Sequence, residues 1–482
     1  MNQYRMSIRQ QWIAAVVLLV AATGVTQAQF PEDALRLGLS GTGVGARALA
    51  MGGAYTGVAN DYSAMYWNPA GLAQMQYSEF TAGLSYLSMK NNSTFFGSSE
   101  SYTNSSTALN SLGMVHKVPT LRGNLVLAFG FHRQSNFLSG LSFTGFNPNS
   151  SIIQTYARNG APYPSDLSDN IAYQLYLADF DTVSGTFISP ITNRVTQLAK
   201  VLESGGLNNW SVGGAFDVAR DVSIGVTLTY VSGTYRYDRT YEEQDRSRLY
   251  DLHPYDFDSY TLEEYIDGDI SGFNAKFGLM YRVPDRFRLG LTVKTPTVFT
   301  ITENFGSYAR AYFDNGDITP SDRPFETISS GDYGVRTPWV FGAGASVMLG
   351  DLVLSGDVEY TDWTQMEFKD ATSEVMAQNR DFKTLFRPTA NLRAGLEYQL
   401  PAGLRLRGGF SYNRSPYEGD PSTFDQKYIT GGLGIPLGGS TMLDLTYARG
   451  WWDTFRTNYN STSRVDESIT TNTILATFSH RF

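Results

Sequence analysis

The 482-residue sequence contains no cysteine, which excludes disulfide scaffolds, thiolate metal sites and cysteine nucleophiles. Histidine is almost as scarce: His116, His132, His253 and His480 are scattered along the chain and leave little for imidazole catalysis or metal binding. Charged residues are only 17%, too few for a coiled coil, and the formal charge of -9 argues against a nucleic-acid partner. After the first 28 residues no apolar run approaches the length of a membrane-spanning helix. What is abundant is aromatic surface and glycine, with 30 Tyr, 29 Phe and 47 Gly. That much aromatic surface disfavours disorder, and the balance suits an all-β protein. No cofactor motif is present, and no cofactor is expected.

The N-terminus reads as an address. Arg5 and Arg9 precede an apolar run from Trp12 to Ala22 and the small-residue site Thr26-Gln27-Ala28. These are the parts of a secretory signal peptide over residues 1–28. The run is short for a membrane anchor, which needs about 20 residues. Cleavage would remove two arginines and take the formal charge from -9 to -11.

Beyond residue 75 the hydrophobic period is two. Leu352, Leu354, Gly356, Val358 and Tyr360 alternate with Val353, Ser355, Asp357 and Glu359; Ala390 to Leu400, Leu404 to Tyr412, Val222 to Tyr230 and Phe273 to Tyr281 repeat the pattern. Alternation of this length means strands with one apolar and one polar face. Fourteen such segments are expected, near 77–89, 107–118, 124–133, 208–219, 222–235, 270–283, 287–303, 331–349, 352–368, 386–400, 404–416, 426–437, 440–455 and 469–482. Short turns such as 284–286, 350–351 and 401–403 alternate with long loops, the longest at 134–207, 236–269 and 304–330. An even strand count with short and long connections alternating predicts an antiparallel transmembrane β-barrel of fourteen strands over residues 76–482 in the outer membrane of a Gram-negative cell. The apolar faces often end in tyrosine (Tyr230, Tyr281, Tyr360, Tyr398, Tyr412, Tyr447), as an interfacial girdle at the loop-proximal ends would. A soluble β-sandwich is the alternative that alternation alone leaves open. The last strand ends in Phe482 with Ile474, Ala476 and Phe478 on one parity, resembling the final strand read by the barrel-assembly machinery.

Residues 29–75 differ in character. Pro31 to Leu37 is followed by Gly41-Thr-Gly-Val-Gly-Ala-Arg47, Met51-Gly-Gly-Ala54 and Tyr66-Trp-Asn-Pro-Ala-Gly-Leu72. No strand precedes the glycines and no Gly-Lys-Ser/Thr follows, so they are not read as a phosphate loop. Small residues allow close backbone approach, which suits a plug packed inside the lumen.

With Asp61, the tripeptide Asn68-Pro69-Ala70 and the run from Asp357 to Trp363, this arrangement resembles the FadL-type outer-membrane transporters of long-chain fatty acids and other hydrophobic compounds. The resemblance extends over essentially the whole mature chain. It implies an N-terminal hatch including Phe30, Asn68, Pro69 and Ala70, and a passive route that leaves the barrel sideways at an inward kink in the third strand. Gly130, in Phe129-Gly130-Phe131, is the candidate for easing that kink, or else a small lumen-facing residue packed on the plug. Phe137, Leu138 and Phe143 open the loop that follows and would line a hydrophobic capture groove. A short amphipathic helix is expected among Ile188, Ile191, Val195, Leu198, Val201 and Leu202. The implied partners are a long-chain fatty acid or hydrocarbon, outer-membrane lipid and lipopolysaccharide, and no nucleic acid. The wording of 45–54 and 66–72 also resembles the barrels that hold cargo for type IX secretion, which is the alternative function. Asp357, Glu359, Arg393, Arg405 and Arg407 are read as a charge ladder filling the lumen rather than as catalytic groups, and no enzyme is expected.

Overall fold

The computed structural model describes residues 30–158, 170–251, 256–316, 318–319 and 325–482. The signal peptide expected at 1–28 lies outside them. Fourteen antiparallel strands form one closed barrel. They are β1 (Glu79–Phe95), β2 (Ser98–Val118), β3 (Leu125–Asn136, then Ser139–Asn147), β4 (Val195–Ala219), β5 (Val222–Gln244), β6 (Phe257–Val283) and β7 (Phe287–Lys294, then Val298–Phe313). The second half comprises β8 (Phe325–Arg336, then Val340–Leu349), β9 (Leu352–Asp362), β10 (Pro388–Gln399), β11 (Arg405–Asn413), β12 (Gln426–Gly438), β13 (Thr441–Thr457) and β14 (Arg464–Arg481). Strands pair in chain order, and β14 returns to β1 from Glu79 opposite Arg481 to Thr94 opposite Asp466. Closure satisfies the backbone internally, which is what a lipid-facing sheet requires.

The turn-side strand ends fall close to the expected positions, as do the loop-side ends of β10 to β13, whereas the loop-side ends of β1 to β8 do not. β2 begins at Ser98 rather than 107, β4 at Val195 rather than 208, and β6 at Phe257 rather than 270. Strands thus reach into the loops expected at 134–207, 236–269 and 304–330: β3 runs to Asn147, β5 to Gln244 and β7 to Phe313, and β8 starts at Phe325. On the β2 extension both sheet faces are polar, Ser98-Ser-Glu-Ser-Tyr-Thr-Asn-Ser-Ser-Thr107, so the hydrophobic alternation fades while the ladder continues. The helix expected over 188–202 is strand from Val195 onward. Val195, Ala199 and Val201 face inward, and Leu198 and Leu202 lie on the opposite parity; merging the two faces mimics a helical period.

The outer face carries the apolar belt. At its loop-side rim Trp210, Tyr230 and Phe273 lie in one cross-strand row. Tyr281 and Tyr398 belong to the opposite rim, beside the turns at 284–286 and 401–403, so the aromatic residues form two girdles rather than one.

Residues 30–75 fill the lumen with three short helices, α1 (Pro31–Gly38), α2 (Ala46–Ala50) and α3 (Ala64–Trp67), and a 3-10 turn at Pro69–Gln74. The wall meets them with glycines. Gly113 and Gly130, Gly225 and Gly278, Gly290 and Gly344, and Gly395 and Gly409 are cross-strand pairs. A Cβ at any of these positions would drive into the N-terminal segment, against Tyr62, Asn68 to Ala70, Thr56 or Met51 to Gly52. On the loop side, Phe95, Phe143, Ile153, Leu175, Tyr241, Phe257 and Tyr260 form a separate buried core.

Candidate functional site: a cavity behind a broken strand

The barrel wall is interrupted at β3. Pairing of β2 with β3 stops at Ser111 opposite His132, so Ser98 to Leu109 of β2 have a ladder partner on β1 alone. The second half of β3 stays paired with β4, from Ser139 opposite Glu203 to Asn147 opposite Val195. Its other edge is met by side chains. Asn91 Nδ2 donates to the Gly140 carbonyl at 3.0 Å, Ser93 Oγ to Ser142 at 2.5 Å and Asn104 Nδ2 to Ser139 at 3.5 Å. Side chains from β1 and β2 thus occupy the place of a missing strand partner.

Gly130 does not make this bend. It lies in unbroken ladder between Gly113 and Ser211, with Tyr62 packed against it. The Tyr62 hydroxyl donates to the Phe131 carbonyl at 3.0 Å. The break comes at Phe137 and Leu138, preceded by a bulge between Arg133 and Ser135. Across from it on β4, Gly205 and Gly206 have φ of 103° and 151°, backbone that side-chain-bearing residues rarely adopt. The Gly205 carbonyl then accepts from Arg133 Nη2 at 2.8 Å and from the Phe137 amide at 3.3 Å. The glycines that shape the kink are on the neighbouring strand.

Charge pins α1 beside the break. Arg456 binds Glu203 at 2.7 Å, Glu467 at 3.0 Å and Ser139 Oγ at 3.0 Å. Glu203 also accepts from the Tyr235 hydroxyl at 3.1 Å and faces Arg36 at 3.8 Å. Arg36 in turn holds Asp33 at 2.8 Å, and Asp33 caps the amide of Phe30 at 2.9 Å. Burial raises the Asp33 carboxyl above its ordinary value, against the opposing pull of Arg36.

Behind the break is a cavity of about 300 Å³ bounded by Leu39 to Gly43, Leu87, Met89, Asn136 to Leu138 and Trp452. Leu138 lines it, as does Phe137, which is buried edge-on to Tyr235 at 5.8 Å. The other expected residues lie elsewhere. Phe129 is 62% exposed on the outer face, and Phe131 packs on Trp210 at 5.2 Å. Phe143 packs at 4.5 Å on Phe95 in the loop-side core, away from the cavity. Sequence reasoning missed Leu39, Leu87, Met89 and the Arg36, Glu203, Arg456 cluster. Leu87 and Met89 carried a signal, being apolar residues at inward parity between Ser85 and Asn91 on β1.

The N-terminal segment is bolted to the wall by polar contacts. Asn68 Nδ2 donates to the carbonyls of Thr56 at 3.0 Å and Leu279 at 3.2 Å, and Asn68 Oδ1 accepts from the Ala70 amide at 3.1 Å. Pro69 and Ala70 press on Gly225. Arg47 makes a two-pronged contact with Glu397, both at 2.8 Å, and Glu397 also holds Arg407 at 2.6 Å. Asp357 accepts the amides of Tyr55 and Thr56 at 2.9 and 2.7 Å. Burial pushes the Tyr66 phenol up to about 12, so it stays neutral at any physiological pH.

A family profile described as outer membrane protein transport protein (OMPP1/FadL/TodX) matches residues 203–482. The chain belongs to this family. The FadL-type chain is thus an outer-membrane β-barrel. Among solved structures, the Pseudomonas putida toluene transporter TodX is 13% identical, with a TM-score of 0.54, covering 91% of this chain and 99% of its own. A Pseudomonas aeruginosa FadL homologue is also 13% identical, with a TM-score of 0.56 over 92% of this chain and 98% of its own. At these identities the likeness establishes the fold. No curated protein matches the sequence.

Proposed function

We propose that the protein passes hydrophobic small molecules, long-chain fatty acids or hydrocarbons, across the outer membrane by diffusion and releases them sideways between β2 and β3. The observation that carries this reading is the coincidence of the unpaired β2 edge with the cavity behind it. Residues 29–75 act as the hatch that keeps the lumen closed to water, 76–482 as the barrel, and 1–28 as the signal peptide. The family's members are transport proteins, and two solved relatives are described as a toluene transporter and a monoaromatic hydrocarbon channel, which supports an apolar cargo. The protein is not an enzyme in this reading; its partners besides the ligand are lipopolysaccharide and the barrel-assembly machinery. The cargo-holding alternative is not favoured: the segments that suggested it, 45–54 and 66–72, are mostly buried against the wall.

Ala108 faces inward on the unpaired stretch of β2, opposite Ser85, which lines the cavity. Ala108→Trp should fill the slot and reduce uptake of labelled oleate to background in cells that display normal amounts of barrel. Ser105→Trp, on the exposed parity, should leave uptake intact. Unchanged uptake in Ala108→Trp would reject lateral release, and competition between oleate and toluene would rank the two ligand classes.

A further inference from the structure

Inside the lumen two lysines face one another across a ladder. Lys276 of β6 is directly opposite Lys294 of β7, and both are half-buried. Like charges in this position repel. Lys276 Nζ donates to the Tyr66 carbonyl at 2.5 Å, whereas Lys294 makes no hydrogen bond or ion pair among the described residues. The carboxylate lining the same space, Glu359, is held by Arg393 at 3.1 Å, and Asp357 is engaged by two backbone amides. Lys276, Lys294 and Arg393 against Glu359 and Asp357 leave one positive charge in excess, in surroundings where an unmatched charge is costly.

Lys276, Lys294 and Glu359 border a polar cavity of about 40 Å³, which shares Ser40, Tyr66 and Gln134 with the larger one and is otherwise lined by different residues. Four of its side chains, His132, Gln134, Asn209 and Asn274, are each at most 5% exposed. Each carries an atom with no partner among the described residues: His132 Nδ1, Gln134 Oε1, Asn209 Oδ1 and Asn274 Nδ2. Asn209 Nδ2 is 3.0 Å from His132 Nε2; with the amide as donor, the imidazole proton is on Nδ1, so His132 and Asn274 both present N–H groups. Unmatched buried polar atoms are costly, and four around one space, two N–H donors and two carbonyl acceptors, indicate a missing occupant.

The wall is shaped around this space. β7 and β8 are both interrupted, at 295–297 and 337–339, and each interruption contains a Thr-Pro step, Thr295-Pro296 and Thr337-Pro338. The two bulges are clasped together: the Thr297 amide donates to Thr337 Oγ1 at 2.8 Å, and the Thr337 amide to the Thr297 carbonyl at 3.0 Å. Proline lacks the amide that a regular ladder needs, so its presence in both strands sets where the wall opens inward.

From this arrangement we infer that the Lys276–Lys294 cavity is a binding site for one monovalent anion of halide size. The volume suits a single ion with its last water rather than an acyl chain. The single excess charge matches a monovalent ion, the N–H groups of His132 and Asn274 complete its shell, and the Gln134 and Asn209 carbonyls accept from the water that accompanies it. Tyr66 ties the site to the N-terminal segment, so the bound ion joins that segment to β6 and β7. This inference is independent of which compound passes through the barrel.

Crystals grown with bromide in place of chloride test it by anomalous scattering. The expected result is a bromide peak between the two lysine ammonium groups in the wild type and none there in Lys294→Met. In detergent, replacing gluconate by chloride at constant ionic strength should raise Tm of the wild type and leave that of Lys294→Met unmoved. Ordered bromide on the surface with only water in the cavity would overturn the assignment. So would an acyl carboxylate there irrespective of halide, a peak that survives Lys294→Met, or equal chloride dependence in both proteins. Should Lys294→Met fail to assemble, the wild-type anomalous map decides alone.

Discussion

Gly113 has no side chain because Tyr62 occupies the space where one would go. A Cβ at Gly113 would fall within 2.7 Å of the Tyr62 hydroxyl and deeper still into the ring. Its three nearest neighbours are all atoms of that one side chain, which makes the conflict separable. Gly113→Ala should destabilise the barrel by about 1–3 kcal/mol, the usual cost of overpacking. In a Tyr62→Ala background the same substitution should cost almost nothing more, so urea titration of the four proteins in a double-mutant cycle gives a large coupling. At Gly130 the picture differs, because backbone atoms of Leu112 and Gly113 crowd the position together with Tyr62. A bulky residue there would disrupt assembly, and so a loss of uptake would say nothing about a passage. The residue that attracted functional attention in the sequence is a packing position, and the one-atom complementarity that makes it so cannot be read from a single strand.

At the scale of elements, strand number and turn-side ends were legible because the belt forces alternation: Leu352 to Tyr360 and Val222 to Tyr230 can be nothing but half-apolar strands. Where β2 rises beyond the belt, from Ser98 to Thr107, the same backbone continues with mostly serine, threonine and asparagine on both faces, and periodicity has nothing to report. The interruption of β3 was invisible for a different reason. Its determinants are Gly205 and Gly206, some seventy residues downstream on β4, together with Arg133, which reaches the Gly205 carbonyl. Expecting a glycine inside the bending strand led to Gly130. Gly206, at φ of 151°, is closed in by the Ser135 carbonyl and the Arg133 guanidinium. Gly206→Ala should therefore cost about 1–3 kcal/mol from backbone strain, read as a lowered unfolding midpoint in urea. If instead Gly206→Ala is neutral, the kink is made by β3 alone.

At the scale of the whole molecule, a mean hydropathy of -0.24 is compatible with a lipid-embedded chain because only one face of each strand meets lipid and the lumen is filled by a polar, charge-braced segment. The consequence is that tolerance to charge must depend on depth along the outer face and not on local sequence. On β6 the outer face runs from Tyr281 at the turn-side girdle to Phe273 at the loop-side girdle, with Phe277 halfway, flanked by Val226 and Val293. Tyr230 is level with Phe273. Both Phe277 and Tyr230 are 50% exposed, so burial within the protein does not distinguish them. Phe277→Arg should cost about 2–4 kcal/mol, the penalty for a cation at the bilayer midplane, and Tyr230→Arg only about 0–1 kcal/mol at the interface. Refolding both variants into liposomes across a urea series measures the difference directly. A soluble sandwich would make the two costs equal, and a reversed order would mean that the row of Trp210, Tyr230 and Phe273 is the middle of the belt rather than its rim.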